Sequence, residues 1–401
     1  MRVLMVSDVY FPRVNGVSTA IETYRRTLGA EDVEVRLIAP NYGVANSTAE
    51  ESWVTRVASR RVPFDPEDRL VRWGAMQRTV AEAAAAADLI HIQTPFAAHY
   101  AGLKAARARG VPVLATYHTL FEEYLHHYAP FVPANWLRGL ARRFSAGQCN
   151  ALDAVIVPSL AMEERLRDYG VNRPLHVLPT GIPVNRFAGG DGAAFRQRHG
   201  IDPARPVALF VGRVAHEKNI GFLLQAMRHC LRECPEALLL ITGEGPAVAD
   251  LKKQAERLQL GDSVRFLGYL DRASELPDCY AAANVFAFAS RTETQGLVLL
   301  EAMAAGVPVV GLAEMGTRDI LIDAPGSFTP PDDPAAFGVV LAGVLNDRAQ
   351  WPAWGAAARQ HAQGWNESTI AGRLAGVYRQ IGETPLSSRV EWKAPTKEKP
   401  A

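Results

Sequence analysis

A basic loop that follows a short apolar run is the first feature of this sequence that suggests chemistry. The run Val207–Val211 ends at Gly212, and Arg213 and Lys218 follow before an apolar helical pattern begins. A glycine at a strand end lets a ligand approach the backbone closely. The free N–H groups of a helix N-terminus and two cationic side chains attract anions. The pattern predicts a diphosphate-binding loop, and the alternative interpretation is an ordinary solvated basic loop.

Two glutamates that lie eight positions apart form the second such pattern. Glu293 lies in a loop after the run Val285–Ala289, and Glu301 lies within the apolar helix that follows Gly296. An apolar helix buries few charges without a reason, and a carboxylate there suits hydrogen bonds to neighbouring sugar hydroxyls. Taken alone, an isolated pair of this kind is more often two solvated glutamates.

The elements that must position these residues are two series of short aliphatic runs, each followed by turn residues and a helical pattern. Continuous rather than alternating hydrophobicity indicates strands covered on both faces, and hence parallel sheets wound with helices. The sequence therefore predicts an α/β fold of two doubly wound domains. The predicted strands are Val3–Val6, Val33–Ala39, Leu89–Ile92, Val111–Thr116, Ala154–Val157 and His176–Leu178, then Val207–Val211, Leu238–Thr242, Val264–Leu267, Val285–Ala289 and Val307–Gly311.

A segment punctuated by Pro and Gly, residues 178–187, separates the two series and suits a hinge. The predicted domains are residues 1–182 and 183–367, and residues 384–401 form a tail whose Lys-, Pro- and Glu-rich end is expected to fray. Ligands bind beyond the carboxyl ends of the strands in open α/β sheets. We therefore expect the two domains to face each other across a cleft that holds the chemistry.

The composition is that of an ordinary globular chain and excludes several classes of protein. The 401 residues carry 43 Lys and Arg against 42 Asp and Glu, a formal charge of +1, and 48% are hydrophobic. This balance argues against a dedicated nucleic-acid binder, which needs a concentrated cationic excess. No apolar run approaches the roughly 20 residues of a membrane-spanning helix, and the N-terminus lacks a signal-peptide core. Four cysteines form no disulfide framework, so a cytoplasmic protein is expected.

The spacing of Glu293 and Glu301 resembles the E-x(7)-E signature of glycosyltransferase family 4, a retaining family with the GT-B fold of two facing Rossmann-like domains. Gly212–Asn219 is similar to the donor-phosphate motif of that family. The similarity spans nearly the whole chain, in order and spacing. In the family, the segment that Trp365 opens returns to the first domain, which implies that a helix at about residues 368–383 packs back on it. The other similar segments are Asn15–Val17, Ala115–Thr119 and Gly243–Pro246.

The resemblance assigns roles to residues of the second domain. Arg213 and Lys218 would hold the donor diphosphate and offset charge on the leaving group. Glu301 would bind the ribose hydroxyls, and Glu293 would hold the transferred sugar together with nearby backbone amides. The remaining donor-binding positions are Gly243, Gln295, Gly296 and Leu297.

In the first domain, Gly16 would let the backbone close on the phosphates and His118 would contact the sugar from the acceptor side. The family resemblance implies front-face attack, in which a donor phosphate oxygen helps to take the acceptor's proton. No cofactor or metal is expected, because Arg and Lys replace the metal in GT-B enzymes and the sequence has no convincing D-x-D motif. His118, Glu122 and His126 could imitate a helical metal site, an interpretation disfavoured because His118 directly follows a strand.

The segment His118–Tyr128 is similar to that of family members that glycosylate diacylglycerol, which implies transfer of glucose from UDP-glucose to a lipid hydroxyl. An aromatic and basic segment follows, and it suits the surface of an anionic membrane at the inner face of the cell membrane. An ordinary amphipathic core helix is the alternative interpretation. The candidate membrane or acceptor residues are Trp136, Arg138, Arg142, Arg143 and Phe144, and the basic face could extend to Arg56, Arg60, Arg61, Arg69 and Arg72.

Other functions remain open at the level of sequence. The same chemistry could use GDP-mannose or another donor and a phospholipid, soluble sugar or polysaccharide acceptor. A nucleotide-sugar binding protein without turnover belongs to a different class. A Rossmann oxidoreductase is disfavoured, because the run that starts at Gly243 and Gly245 lacks its third glycine at Val248.

Overall fold

A computed structural model provides the architecture. It describes residues 1–43, 52–62, 65–118 and 134–383, with the backbone alone for residues 65–68 and 134–138. The chain divides into two compact units. The first unit comprises Met1–Pro158, Met162–Leu178 and Ile370–Ala401, and the second comprises Ser159–Ala161 and Pro179–Thr369.

The first unit is built on a seven-stranded sheet whose neighbouring strands all run parallel, in the order β3-β2-β1-β6-β7-β8-β9. An antiparallel hairpin, β4-β5, is separate from it. The strands are β1 (Arg2–Val6), β2 (Glu34–Pro40), β3 (Val54–Val57), β4 (Ser59–Val62), β5 (Asp65–Val71), β6 (Leu89–Ile92), β7 (Val113–Thr116), β8 (Ala154–Val157) and β9 (Leu175–Val177).

Helices cover this sheet with apolar faces. α1 buries Ile21, Tyr24 and Leu28 at helical spacing, and α15 buries Leu374 and Tyr378 in the same core. The helices are α1 (Gly16–Leu28), α2 (Trp73–Ala83), α3 (Ala97–Arg109), α4 (Ala134–Asn150) and α15 (Glu367–Glu383), and α5 (Leu160–Asp168) continues into this unit from the second.

The second unit has a six-stranded parallel sheet in the order β12-β11-β10-β13-β14-β15, and its apolar core lies on both faces of these strands. The strands are β10 (Val207–Val211), β11 (Leu238–Thr242), β12 (Val264–Gly268), β13 (Val285–Phe288), β14 (Val309–Gly311) and β15 (Ser327–Phe328). The helices are α6 (Val184–Phe187), α7 (Gly192–Arg198), α8 (Ile220–Cys230), α9 (Val248–Arg257), α10 (Leu276–Ala281), α11 (Leu297–Ala304), α12 (Arg318–Leu321), α13 (Pro334–Asn346) and α14 (Trp351–Gln363).

The fold class predicted from sequence, two doubly wound parallel-sheet α/β domains, is confirmed. Two predicted strands begin two residues later than expected, since Pro112 and Pro308 have no N–H for the ladder. Their carbonyls still accept hydrogen bonds from the neighbouring strands, at 2.9 and 2.8 Å. The sequence patterns missed β3, β15 and the hairpin β4-β5. Thr55 and Arg56 interrupt the apolar residues of β3, and β15 has only two residues.

Strand order locates the candidate site in each unit. Each sheet reverses its strand order beside its first strand, between β1 and β6 in one unit and between β10 and β13 in the other. Ligands of open α/β sheets bind at the carboxyl ends of the strands at such a topological switch point. The loops that follow β1, β6, β10 and β13 are therefore the places where a site is expected.

Candidate active site

Two strand-end loops of the second unit, those after β10 and β11, approach each other closely beside the switch point. Gly243, after β11, has a φ of +122°. A Cβ atom on it would lie 1.9 Å from the Gly212 carbonyl oxygen, so no other residue fits. The Val214 N–H donates to the Glu244 carbonyl at 2.9 Å and fastens the two loops together. The position predicted to bind the donor is thus a point of backbone contact.

The basic loop after β10 is held against the end of β13. Lys218 ends a 3-10 turn, and Asn219, with a φ of +55°, leads into α8. The Asn219 side-chain amide donates to the Ala289 carbonyl at 2.9 Å. The Arg213 side chain is 53% exposed, and its guanidinium lies 4.0 Å from the Glu217 carboxylate.

Lys218 and Glu293 meet in this arrangement. The Lys218 ammonium donates to Glu293 Oε1 at 2.5 Å, and the two side chains are only 20% and 16% exposed. Their positions lie 75 residues apart in the chain. The two side chains predicted for the phosphate and the sugar are therefore direct neighbours at the topological switch point.

Backbone contacts fix the loop that carries Glu293. The Gly316 N–H donates to the Glu293 carbonyl at 2.9 Å. A Cβ atom on Gly316 would lie 2.1 Å from the Thr294 carbonyl oxygen, so the turn after β14 packs directly on the loop. The Ser159 hydroxyl donates to that same Thr294 oxygen at 2.8 Å. The carboxylate is consequently presented by a braced backbone.

Gln295 forms its contacts through its side chain, whereas the backbone is the relevant feature of Gly296 and Leu297. The Gln295 side-chain amide accepts from the Thr180 N–H and donates to the Thr180 carbonyl, both at 2.8 Å, and both residues are buried. Its side chain therefore anchors the segment that leads into the second unit. Gly296 has a φ of +95° and precedes Leu297, where α11 begins. The first N–H groups of a helix have no intrahelical acceptor and suit a polar ligand.

Glu301 lies one helical turn into α11 and is 1% exposed. Its carboxylate is bound by the Arg272 guanidinium and accepts from the Tyr280 hydroxyl at 2.9 Å. The nearby carboxylate raises the pKa of Arg272, and burial raises the pKa of Tyr280 well above its ordinary value. Sequence reasoning missed both partners, although a charge on an apolar helix indicates that a partner must exist.

In the first unit, the carboxyl ends of β6 and β7 carry a second polar cluster. His118 Nε2 lies 2.9 Å from the Gln93 side-chain oxygen. Burial lowers the pKa of His118 to about 4, so its ring is neutral at pH 7. Gln93 is 1% exposed, and the sequence patterns did not single it out. Gln93 follows β6 directly, at the carboxyl-end edge of the parallel sheet, where ligands of such sheets bind.

Two further residues occupy this edge. Burial raises the pKa of Asp8 to about 6, although the Thr94 hydroxyl donates to its carboxylate at 2.8 Å and backbone N–H groups at the start of α3 also donate. Gly16 begins α1 directly after Asn15, whose side chain accepts from the Ser18 N–H. A Cβ atom on Gly16 would have no neighbour within 4 Å, so there is space at this position.

The predicted surface segment is described in part. Only the backbone of Trp136 and Arg138 is described, within α4. Arg142, Arg143 and Phe144 are exposed on that helix, and the Arg142 guanidinium lies 5.5 Å from the Tyr169 ring centre. Of the candidate metal triad, Glu122 and His126 lie outside the described residues.

Within the part of the chain that the structure describes, no three His, Cys, Asp or Glu side chains form a group suited to a metal. Within the same residues, no helix is both long and apolar enough to cross a bilayer.

Solved structures with the same architecture identify the fold. The structure of Anabaena HepE in complex with UDP and glucose superposes with a TM-score of 0.76 at 19% identity, over 95% of this chain and all of that one. The lipopolysaccharide glycosyltransferase WaaG superposes with a TM-score of 0.71 at 17% identity, over 94% and 99% of the two chains. The fold is therefore GT-B.

The sequence comparisons identify the family. The profile described as Glycosyltransferase Family 4 matches residues 14–186, and that of Glycosyl transferases group 1 matches residues 191–361. An alpha-monoglucosyldiacylglycerol synthase of Streptococcus pneumoniae is 34% identical over 80% of this chain and 74% of its own length. The synthase of the same name from Acholeplasma laidlawii is 28% identical over 77% and 80%. The chain belongs to glycosyltransferase family 4, and it is a hexosyltransferase that uses a nucleotide-sugar donor.

Proposed function

We propose that this enzyme transfers glucose from UDP-glucose to a hydroxyl group of diacylglycerol, with retention of configuration at the anomeric carbon. The observation that carries the donor half of the proposal is the Lys218–Glu293 contact of 2.5 Å at the switch point of the second unit. The names of the two monoglucosyldiacylglycerol synthases support the acceptor half.

The contact matches the covalent structure of a nucleotide sugar. The anomeric carbon of the sugar is bonded directly to an oxygen of the terminal phosphate, so the groups that hold phosphate and sugar must be neighbours. Lys218 supplies a cation for the phosphate, and Glu293 supplies acceptor oxygens for sugar hydroxyls. Arg213, on the same loop and half exposed, provides the second cation.

Glu301 is assigned to the ribose of the donor. Its two carboxylate oxygens each have one partner, Arg272 and Tyr280. A carboxylate has about four acceptor positions, so it retains capacity for the vicinal hydroxyls of a ribose. The two protein partners hold the carboxylate in one orientation, as a binding group requires.

The proposed chemical step needs no group outside the donor, the acceptor and this chain. The acceptor oxygen forms a bond to the anomeric carbon while the bond from that carbon to the phosphate oxygen breaks. The acceptor's proton passes to a donor phosphate oxygen, and UDP leaves. Arg213 and Lys218 offset the charge that develops on the leaving diphosphate. Neutral His118 contacts the sugar from the acceptor side. Because Arg213 and Lys218 take the place of a metal at the diphosphate, full activity in excess EDTA is expected.

The surface of α4 supports a lipid acceptor. Leu140 and Phe144 are 64% and 40% exposed, and the exposed Arg143 lies between them in sequence. Apolar side chains beside a basic one suit the surface of an anionic membrane, where each well-placed basic residue contributes about 1 kcal/mol.

A donor and acceptor screen tests the proposal. The purified protein is incubated with labelled UDP-glucose and GDP-mannose, with or without diacylglycerol vesicles, and the chloroform-extractable product is analysed by mass spectrometry and proton NMR. A glucosyl lipid with an α-anomeric proton signal is expected from UDP-glucose. Transfer to a soluble acceptor with no lipid product would refute the lipid half, and use of GDP-mannose alone would refute the donor half.

A pair of glutamate variants separates an enzyme from a binding protein. Glu293→Ala is expected to abolish transfer, whereas the matched control Glu256→Ala, an exposed residue of α9, retains it. Unchanged transfer in Glu293→Ala would contradict the role proposed for this carboxylate.

A further inference from the structure

Two side-chain hydrogen bonds join β6 and β7 on one face of the sheet. His91 Nε2 lies 2.7 Å from the Thr116 hydroxyl, and His118 Nε2 lies 2.9 Å from the Gln93 oxygen. Each strand contributes residues two positions apart, which by the period of a strand lie on the same face. The backbone pairing of these strands ends at Ile92 and Ala115. The second side-chain bond thus continues the pairing past the end of the ladder.

The first of these bonds is tied to the C-terminal helix. The Tyr378 hydroxyl, on α15, lies 2.7 Å from His91 Nδ1, although the two residues are 287 positions apart. The two rings meet edge to face at 5.6 Å, and both residues are fully buried. A single chain of contacts therefore runs from α15 through His91 to Thr116, two residues before His118.

The buried groups in this chain hold fixed protonation states. Burial lowers the pKa of His91 to about 3 and raises that of Tyr378, so both are neutral. A neutral imidazole has one N–H and one acceptor nitrogen, and the two hydroxyls can complement either tautomer. At the next bond the Gln93 side-chain oxygen lies 2.9 Å from His118 Nε2 and can only accept, an arrangement that favours a proton on Nε2.

We propose that Tyr378 and His91 are positioning residues for His118, which they place through Thr116 and the shared register of β6 and β7. In this proposal α15 helps to set the orientation of His118, besides covering the core. The inference rests on the role in sugar transfer proposed above for His118.

A purely structural role would not require hydroxyl groups. A phenylalanine at position 378 would fill the same volume in the core of α1, α15 and the sheet. A buried polar group costs stability unless it is hydrogen-bonded. Three polar side chains, Tyr378, His91 and Thr116, are nevertheless buried and hydrogen-bonded to one another here. We therefore attribute their pairing to the alignment of β6 and β7.

A double-mutant cycle tests the inference. Tyr378→Phe is expected to lower kcat roughly three- to tenfold, the equivalent of one hydrogen bond, with little change in the KM for the donor. In a His118→Ala background the same substitution should have no further effect on kcat, because the residue being positioned is gone. An undiminished effect in that background would overturn the inference.

Matched variants control for packing. Tyr24→Phe removes another buried hydroxyl, on a ring 6.2 Å from that of His91, and is expected to retain wild-type kcat. Thr116→Val removes the next bond of the chain with little change in shape, and should reproduce the effect of Tyr378→Phe. Wild-type kcat in both Tyr378→Phe and Thr116→Val would refute the inference.

Two measurements distinguish a failure of the positioning inference from a failure of the proposed function. If His118→Ala itself keeps wild-type kcat, the role of His118 is wrong. If His118→Ala loses activity while Tyr378→Phe does not, only the positioning is wrong. In 15N spectra of histidine-labelled protein, Tyr378→Phe should shift the His118 ring nitrogens, and an unchanged His118 signal would overturn the inference without recourse to activity.

Discussion

At the residue scale, the Lys218–Glu293 pair differs from the ion pairs around it in its degree of burial. Its side chains are 20% and 16% exposed, whereas those of Arg291 and Asp332 are 44% and 40% exposed. Exposed pairs of this kind contribute about 0 to 1 kcal/mol. A partly shielded pair at a strand-end crevice retains more of its electrostatic strength and remains accessible to a ligand. Its burial therefore distinguishes it from an exposed surface contact such as that of Arg291 and Asp332.

Lys218→Ala is expected to lower kcat by at least about a hundredfold with the fold intact, because it removes a cation from the leaving-group site and no core volume. Steady-state kinetics and circular dichroism measure the two effects. Lys253→Ala, an exposed residue of α9, is the matched control and should behave as wild type. Near wild-type kinetics in Lys218→Ala would exclude its role at the diphosphate.

Glu301→Gln is expected to destabilise the second unit by about 3 kcal/mol and to raise the KM for the donor. It leaves the Arg272 guanidinium without its buried counter-ion, and breaking such a pair costs roughly 3 to 5 kcal/mol. Asp332→Asn, which breaks the exposed pair with Arg291, should cost no more than about 1 kcal/mol. Urea denaturation measures both variants, and equal losses would show that the burial of Glu301 is unimportant.

At the scale of elements, the site depends on how closely the strand-end loops approach one another. Gly243 passes over the Gly212 carbonyl, and Gly316 passes over the Thr294 carbonyl, in each case without room for a methyl group. The loops that follow β10, β11, β13 and β14 are consequently braced against one another. Such bracing holds the polar side chains of these loops within the narrow positional limits that catalysis requires.

Gly243→Ala tests this bracing. The substitution places a Cβ atom in contact with backbone and forces an alanine to a φ of +122°, so a loss of at least about 2 kcal/mol in unfolding free energy and weaker UDP binding are expected. Gly261→Ala is the control, because its φ is +46° but a Cβ there has no neighbour within 4 Å. It should lose only about 1 kcal/mol and keep UDP affinity; similar losses in both variants would argue against the loop contact.

At the scale of the whole molecule, buried neutral histidines concentrate in the first unit. Burial lowers the pKa of His91 to about 3 and those of His99 and His118 to about 4. Between these values and the ordinary value of 6.5, the unfolded chain binds protons that the folded chain does not. Unfolding free energy therefore falls as the pH is lowered through this window, and these residues contribute their full stability only above about pH 6.5.

His99→Gln is expected to reduce that dependence on pH. Between pH 7.5 and 4.5, His99 accounts for a loss of about 2 to 3 kcal/mol in the unfolding free energy of the wild type. The variant should not show this part of the loss, whatever its stability at pH 7.5. The measurement is the unfolding free energy of wild type and variant at both values of pH. An unchanged dependence in His99→Gln would show that burial of this imidazole does not oppose its protonation.

The positions of most elements followed from sequence, because strands buried on both faces produce continuous apolar runs that can be recognised locally. The runs at Val207–Val211 and Leu238–Thr242 coincide with β10 and β11 to the residue. The strands β3 and β15 could not be found in this way, since Thr55 and Arg56 interrupt the apolar residues of β3 and β15 has only two residues. The loops that carry Lys218 and Glu293 were recognisable because glycine and charged residues come directly after an apolar run.

The sequence by itself determined the two-domain α/β fold, the strand-end loops with their glycines and charged residues, and the family, because these depend on residue type and spacing along the chain. Only the tertiary structure decided which side chains meet: Glu301 with Arg272 and Tyr280, His118 with Gln93, and His91 with Tyr378. The last pair spans 287 positions. Parallel sheets bring distant segments together through their crossovers, so a buried charge or imidazole indicates that a partner is needed, and the fold determines which residue that partner is.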